Sequence, residues 1–198
     1  MPHSAFFNLP KEKQQTIITC AYKEFGNNTY DKVSVFLIAK NANISRASFY
    51  CYFDDKEDIY NYLIKLILAP YRENLLKQYK EIYLFNLANN LFNYFLSFHK
   101  TEQQDFIVNI LRNMNPKTIK FICNDLSEKK LEESKNINII TDNLNIKSNY
   151  DLNIISFTIL LNMAVCLTHY FTGLKTKEQA QEYFNRTLDI IKNGAFIK

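Results

Sequence analysis

Between Ser45 and Tyr52 the chain sets four hydroxyl-bearing side chains, Ser45, Ser48, Tyr50 and Tyr52, and one guanidinium, Arg46, around a single phenylalanine, Phe49. Hydroxyl and guanidinium donors suit phosphate oxygens, and guanidinium or small side chains beside them suit base edges in a DNA groove. Counting 100° per residue along a helix puts Phe49 and Phe53 on one face and Ala47, Ser48 and Cys51 on the opposite one. Arg46 and Tyr50 then flank one edge and Tyr52 the other. Such a helix has a buried side, a grip along its edges and a row of small residues free to meet a surface.

The preceding residues supply what such a helix needs to be held in place. Ser34 suits the N-cap of a short helix with Ile38 and Ala39 on its inner side, and Asn41-Ala42-Asn43 breaks that pattern before a second cap at Ser45. Asparagine tolerates the left-handed backbone of a sharp turn. Two short helices, a polar turn and an exposed second helix over about residues 34–53 form the layout of a helix-turn-helix, in which the second helix enters the major groove. After Phe53 the acids Asp54, Asp55, Glu57 and Asp58 gather at a helix start, where Asp54 and Glu57 have capping-box spacing.

Bulk charge does not single out nucleic acid: the net charge is +4, and the first 70 residues hold eight Lys or Arg against seven Asp or Glu. Distribution is more telling, because Lys32, Lys40 and Arg46 lie in a stretch, Lys32 to Phe53, that holds no acid. Three glycines and four prolines disfavour a β-sandwich or a phosphate-cradling loop, so the expected fold is all-α. Cys20, Cys51, Cys123 and Cys166 lack CxxC spacing, which predicts no metal site, no disulfide framework and a reducing cytoplasm. No catalytic order of Ser, His and Asp or of Cys and His stands out, His3 falls in an N-terminal tail, and neither an enzyme nor a cofactor is expected. Met1 to Pro10 lacks the pattern of a signal peptide.

From Lys11 to Tyr71 the sequence resembles the N-terminal DNA-binding domain of the TetR family of bacterial transcriptional regulators. The resemblance rests on Ile17-Ile18, Ala21 and Phe25 followed by Gly26, then Val33-Ser34, Ile38-Ala39, Ile44-Ser45-Arg46, Phe49-Tyr50, Tyr52-Phe53 and Lys56-Glu57 with Ile59. It implies that Ser34, Ser45, Tyr50, Tyr52 and Lys56 grip the DNA backbone, leaving Arg46, Ala47, Ser48 and Cys51 to discriminate bases. Asn43 and Ala47 stand where the family commonly has glycine. It further implies a connecting helix, expected over Ile59–Lys80 with a bend at Pro70, into a C-terminal helical domain over 72–198 that binds a small molecule and dimerises.

Beyond Tyr71 the pattern predicts helices over Glu81–Lys100, from a Thr101/Gln104 cap to Arg112, from Asn115-Pro116, over Asp151–Thr172 and after a Thr176/Gln179 cap, with a polar loop over Ser134–Tyr150. Asp151–Thr172 is apolar almost all round, and Asn153, Ser156, Thr158, Asn162, Thr168 and His169 argue against its crossing a membrane. Tyr83, Phe92 and Phe95 with His99, Asn162 and His169 are the expected lining of an effector pocket for a bulky, largely apolar molecule. Ile155, Ile159, Met163, Cys166, Tyr170, Tyr183, Phe184 and Ile191 are the expected homodimer interface. The function implied is a repressor that binds a near-palindromic double-stranded operator as a dimer and is released by its effector. The rival expectation is a helical adaptor or ligand-binding protein of the same fold, governed by a protein partner.

Overall fold

Ile17, Ile18, Ala21 and Phe25 recur at helical intervals, and the computed structural model buries all four on one face of a 17-residue helix. The structure describes residues 1–113, 138–141 and 144–195. The helix expected at Asn115-Pro116, Cys123 and part of the expected polar loop lie outside the described residues. In chain order the elements are α1 (Ser4–Phe7), α2 (Lys11–Asn27), a 3-10 turn (Tyr30–Lys32), α3 (Val35–Asn41), α4 (Arg46–Tyr52), α5 (Lys56–Gln78), β1 (Glu81–Tyr83), α6 (Leu84–Leu96), α7 (Gln104–Arg112), β2 (Asn138–Ile140), α8 (Asn149–Phe171) and α9 (Lys177–Ala195). The chain divides into two compact units, Met1–Pro70 with Lys100–Asp125, and Tyr71–His99 with Leu126–Lys198.

The first unit is organised by aromatic rings. Phe49 and Phe53, the predicted buried pair of α4, are fully buried with ring centroids 5.3 Å apart. Phe6 of α1 completes the cluster, 5.1 Å from Phe53 and 5.7 Å from Tyr62. His3 is therefore not in a loose tail: Phe6 is as buried as Phe53, and Gln14 donates to the carbonyls of Phe7 and Leu9 to hold the approach to α2. A single aromatic anchor within a four-residue helix has no periodicity to reveal it. The cap of α5 is also shifted from the expected pair: Asp55, not Asp54, accepts from the Asp58 amide at 2.8 Å, and Asp58 returns a bond to the Asp54 amide.

α7, which lies within the stretch 72–198 expected to form the helical C-terminal domain, packs against α2 in the first unit. Gly26 permits this closeness, because a Cβ there would meet Asp105 Cβ at 3.0 Å and the Phe106 amide nitrogen at 3.1 Å. Asn109 donates to the carbonyls of Phe25 and Asn28, where α2 ends and its last acceptors lack intrahelical partners. At the start of α7 it is Gln104 that caps, accepting from the Lys100 amide at 2.6 Å, and Gln103 holds the N-cap position.

In the second unit the expected helix over 81–100 begins as a strand. β1 pairs in parallel with β2, Ile82 opposite Ile139, and Ile82 is buried; this three-residue pair is the departure from an all-helical fold among the described residues. α6 then packs its Leu87, Leu91 and Phe92 face toward α8 and α9, with Phe92 stacked on Phe184 at 4.1 Å. α8 starts on a Ser148/Asp151 capping box. α9 starts on the expected Thr176/Gln179 pair, each side chain bonding the other's amide at 3.0 and 3.2 Å. Tyr150–Phe171 is long and apolar enough to cross a membrane, yet Ile159, Met163, Cys166 and Leu167 of it are buried within the chain.

Candidate nucleic-acid interface

α3 and α4 are each started by a serine. Ser34 Oγ accepts from the Leu37 amide and Ser45 Oγ from the Ser48 amide, so both expected caps form. Asn43 sits at φ +51°, the left-handed turn for which asparagine substitutes for glycine. With the turn closed, Arg46, Ala47, Tyr50 and Cys51 are exposed on α4, while Ser48 and Tyr52 are half-buried. The Arg46 guanidinium lies 5.8 Å from the Tyr50 ring centroid, a cation–π contact that aligns the two edge residues.

Three polar side chains of α2 hold this arrangement, and sequence reasoning missed them. Lys13 Nζ donates to the carbonyls of Ala42 and Asn43 at 2.9 and 3.0 Å, closing the turn. Glu24, buried, accepts the Ser34 amide at 3.1 Å and so positions the start of α3. Gln14 holds the N-terminal segment. In sequence these residues read as ordinary polar positions of an amphipathic helix; their partners lie up to 30 residues away, and no local pattern announces them.

The interface residues expected from the resemblance divide by what they already do. Ser34 and Ser45 are engaged as caps, with Ser45 Oγ also 2.8 Å from Ser48 Oγ. Lys56 is turned inward: its ammonium donates to the carbonyls of Tyr30 and Asp31 at 2.8 and 3.3 Å and lies 4.7 Å from the Tyr30 ring centroid. Burial, then the nearby Glu57 and Asp55 carboxylates, push the Tyr30 hydroxyl up to about 12, so it stays protonated beneath that ammonium.

The other expected sites fare differently. Ile159, Met163, Cys166 and Phe184 of the expected dimer interface are packed inside their own unit, at 3% exposure or less. Ile155, Tyr170 and Ile191 are half-buried, and Tyr183 is exposed. The apolar face of α8 left open is instead Tyr150, Ile154, Phe157, Leu161 and Val165, spaced at three- and four-residue intervals. A helix apolar all round has two candidate faces, and only packing against α6 and α9 tells them apart.

Of the expected pocket, Phe92 is filled in by Phe184 and Tyr83 is exposed at the end of β1. Phe95 leans on Tyr94 and Phe98, and Asn162 accepts from the Cys166 thiol. His99 lies 4.8 Å from the Tyr170 ring, and His169 is half-buried on α8. His99 Nδ1 and Asn89 Oδ1 are buried with no hydrogen-bond partner among the described residues. A small cleft of about 20 Å³ lies in the first unit, lined by Phe25, Tyr30, Tyr60, Phe106 and Asn109 among others, and includes none of the expected pocket residues. Among the described residues no group of three or more His, Cys, Asp or Glu could hold a metal ion.

Comparison with known proteins bears on both units. Residues 17–63 match the family described as bacterial regulatory proteins, tetR family, and residues 84–195 match the tetracyclin repressor-like C-terminal domain. The HTH-type transcriptional regulator HbdR of Aromatoleum sp. (strain CIB) is 33% identical over 70 residues; the match spans 35% of this chain and 31% of that protein. A TetR family transcriptional regulator from Chloroflexus aurantiacus J-10-FL shares the fold over 100% of both chains, with a TM-score of 0.61 and 24% identity. Thermus thermophilus FadR, a TetR family repressor solved in complex with lauroyl-CoA, shares it over 93% of this chain and 95% of that one, with a TM-score of 0.52 and 18% identity.

Proposed function

The chain belongs to the tetR family of bacterial regulatory proteins and is a DNA-binding transcriptional regulator, and from that premise we propose that it is a cytoplasmic repressor, bound as a homodimer to a near-palindromic operator and released by a largely apolar effector. The observation that carries the reading is the row Arg46, Ala47, Tyr50 and Cys51, exposed on a helix whose back is fixed by fully buried Phe49 and Phe53. Arg46 and Ala47 at the N-terminal end of α4 face the bases, and the Tyr50 and Tyr52 hydroxyls set the register on phosphate.

Twofold pairing through the open α8 face supplies the second reading head, and twofold symmetry demands a palindromic site. Asn89 Oδ1 and His99 Nδ1, buried and without a hydrogen-bond partner among the described residues, are polar groups that an effector in the second unit would satisfy. FadR of Thermus thermophilus was solved with lauroyl-CoA, which makes acyl thioesters the first effectors to try.

The test is selection from random double-stranded DNA with the purified protein, followed by a mobility shift on the recovered site. A near-palindrome bound as a dimer is the expected result. Failure to enrich any sequence at moderate salt would overturn the repressor reading and favour a partner-governed protein of the same fold.

A further inference from the structure

The last turn of α4 is closed by a residue far away in the chain. The His3 amide donates to the Tyr52 carbonyl at 2.9 Å, and the His3 ring, itself partly exposed, lies against the same helix end. Its Nδ1 lies 3.2 Å from the Cys51 carbonyl oxygen, and its Nε2 lies 2.9 Å from Asp54 Oδ1. Both partners are acceptors only. A neutral imidazole carries one N–H and can satisfy one of them; an imidazolium carries two and satisfies both. The cation also sits at a helix C-terminus, where the backbone dipole favours it.

We infer that His3 is a positioning residue for DNA recognition, whose protonation fixes the C-terminal end of α4 and neutralises Asp54 at the margin of the reading face. This rests on the proposed DNA-binding role of α4. Two effects share one sign. Loss of the proton removes one of the ring's two bonds, either to the Cys51 carbonyl at the end of the helix that carries Tyr50 and Tyr52 or to Asp54 just beyond it. It also leaves the exposed Asp54 carboxylate uncompensated close to where phosphates are gripped, and phosphate contacts are weakened by a nearby negative charge.

The titratable and charged groups nearest His3 are Cys51 and Tyr52 of α4, Asp54 and Asp55 in the following turn, and Asp58 and Lys65 of α5. Of these, Asp58 is buried and pairs with the Met1 ammonium, and Lys65 Nζ lies 3.6 Å from the Met1 sulfur. Neither competes for the His3 ring, which leaves Asp54 as its ionic partner.

Both ring bonds exist only on the imidazolium, so one of them is lost when the ring gives up its proton as pH rises. Binding to the selected operator site should weaken roughly three- to tenfold from pH 5.5 to 8.5 at fixed ionic strength, the size of one exposed charge-assisted bond. His3→Gln and Asp54→Asn should each flatten that profile, and Asp54→Asn should bind more tightly than wild type at pH 8.5. A wild-type profile retained in both variants would overturn the inference. In parallel, a nitrogen-detected NMR titration of the free protein should show both His3 ring nitrogens protonated at pH 5.5, with Tyr50, Tyr52 and Phe53 amide shifts following the same titration. If no DNA sequence is selected, the repressor reading fails while the titration still decides the brace: amides of α4 that ignore His3 would refute it.

Discussion

Replacing Leu161 by Glu separates the two faces of α8. The side chains of Ile154, Phe157, Leu161 and Val165 keep 42–49% of their area exposed, and Tyr150 keeps 72%. Fully burying a large apolar side chain is worth about 1.5–3 kcal/mol, so covering the remaining half of each returns about 1 kcal/mol. Five such residues from each of two protomers give about 10 kcal/mol, the order needed to offset the about 4–15 kcal/mol lost on association. Leu161→Glu removes about 2 kcal/mol of this per dimer and places two carboxylates in an apolar seam, costing at least as much again. The dimer should weaken by about 4 kcal/mol, roughly a thousandfold.

Sedimentation velocity across a dilution series, with circular dichroism at each concentration, reads the outcome. A folded monomer is expected at concentrations where the wild type is dimeric. Met163→Glu, two residues on and on the opposite face of the helix at 3% exposure, should instead lose helicity and melt early, because its charge has no solvent to reach. An undiminished Leu161→Glu dimer, or a folded monomeric Met163→Glu protein, would refute the assignment of faces.

Three further outcomes follow from contacts in the first unit and from the thiols. Lys13→Met removes two donors from the Ala42–Asn43 turn and should cost about 1–2 kcal/mol of stability in urea melts, with operator affinity falling more than in a control at exposed Lys11. Gly26→Ala should cost about 1–3 kcal/mol by crowding the Asp105–Phe106 backbone, read as a lower thermal midpoint; an unchanged midpoint would show that α7 yields freely. Burial pushes the Cys166 thiol up to about 11, so at pH 8 iodoacetamide followed by peptide mapping should find exposed Cys51 modified well before Cys166.

The reading helix was legible because each of its parts is local. Caps at Ser34 and Ser45, the left-handed Asn43 and the Phe49/Phe53 face all depend on residues within four positions of one another. What escaped notice depends on distance: Lys13, Glu24 and His3 act on residues 10 to 51 positions away. The faces of α8 were ambiguous for another reason, since a helix apolar on all sides offers no contrast. Lys56 is expected from the resemblance to grip the DNA backbone, and only the fold turns it toward the Tyr30 and Asp31 carbonyls.

The division of labour around α4 bears on how such a protein changes over generations. The scaffold is held from behind by Phe49, Phe53, Lys13 and Glu24, none of which sits on the open face, while Ala47 and Cys51 project outward at four-residue spacing. Substitution at these two positions leaves the folding core untouched, so a new sequence preference arises without first being rescued by a stabilising change elsewhere. A duplicated copy of the gene is in that sense already poised to acquire a different target, one outward side chain at a time.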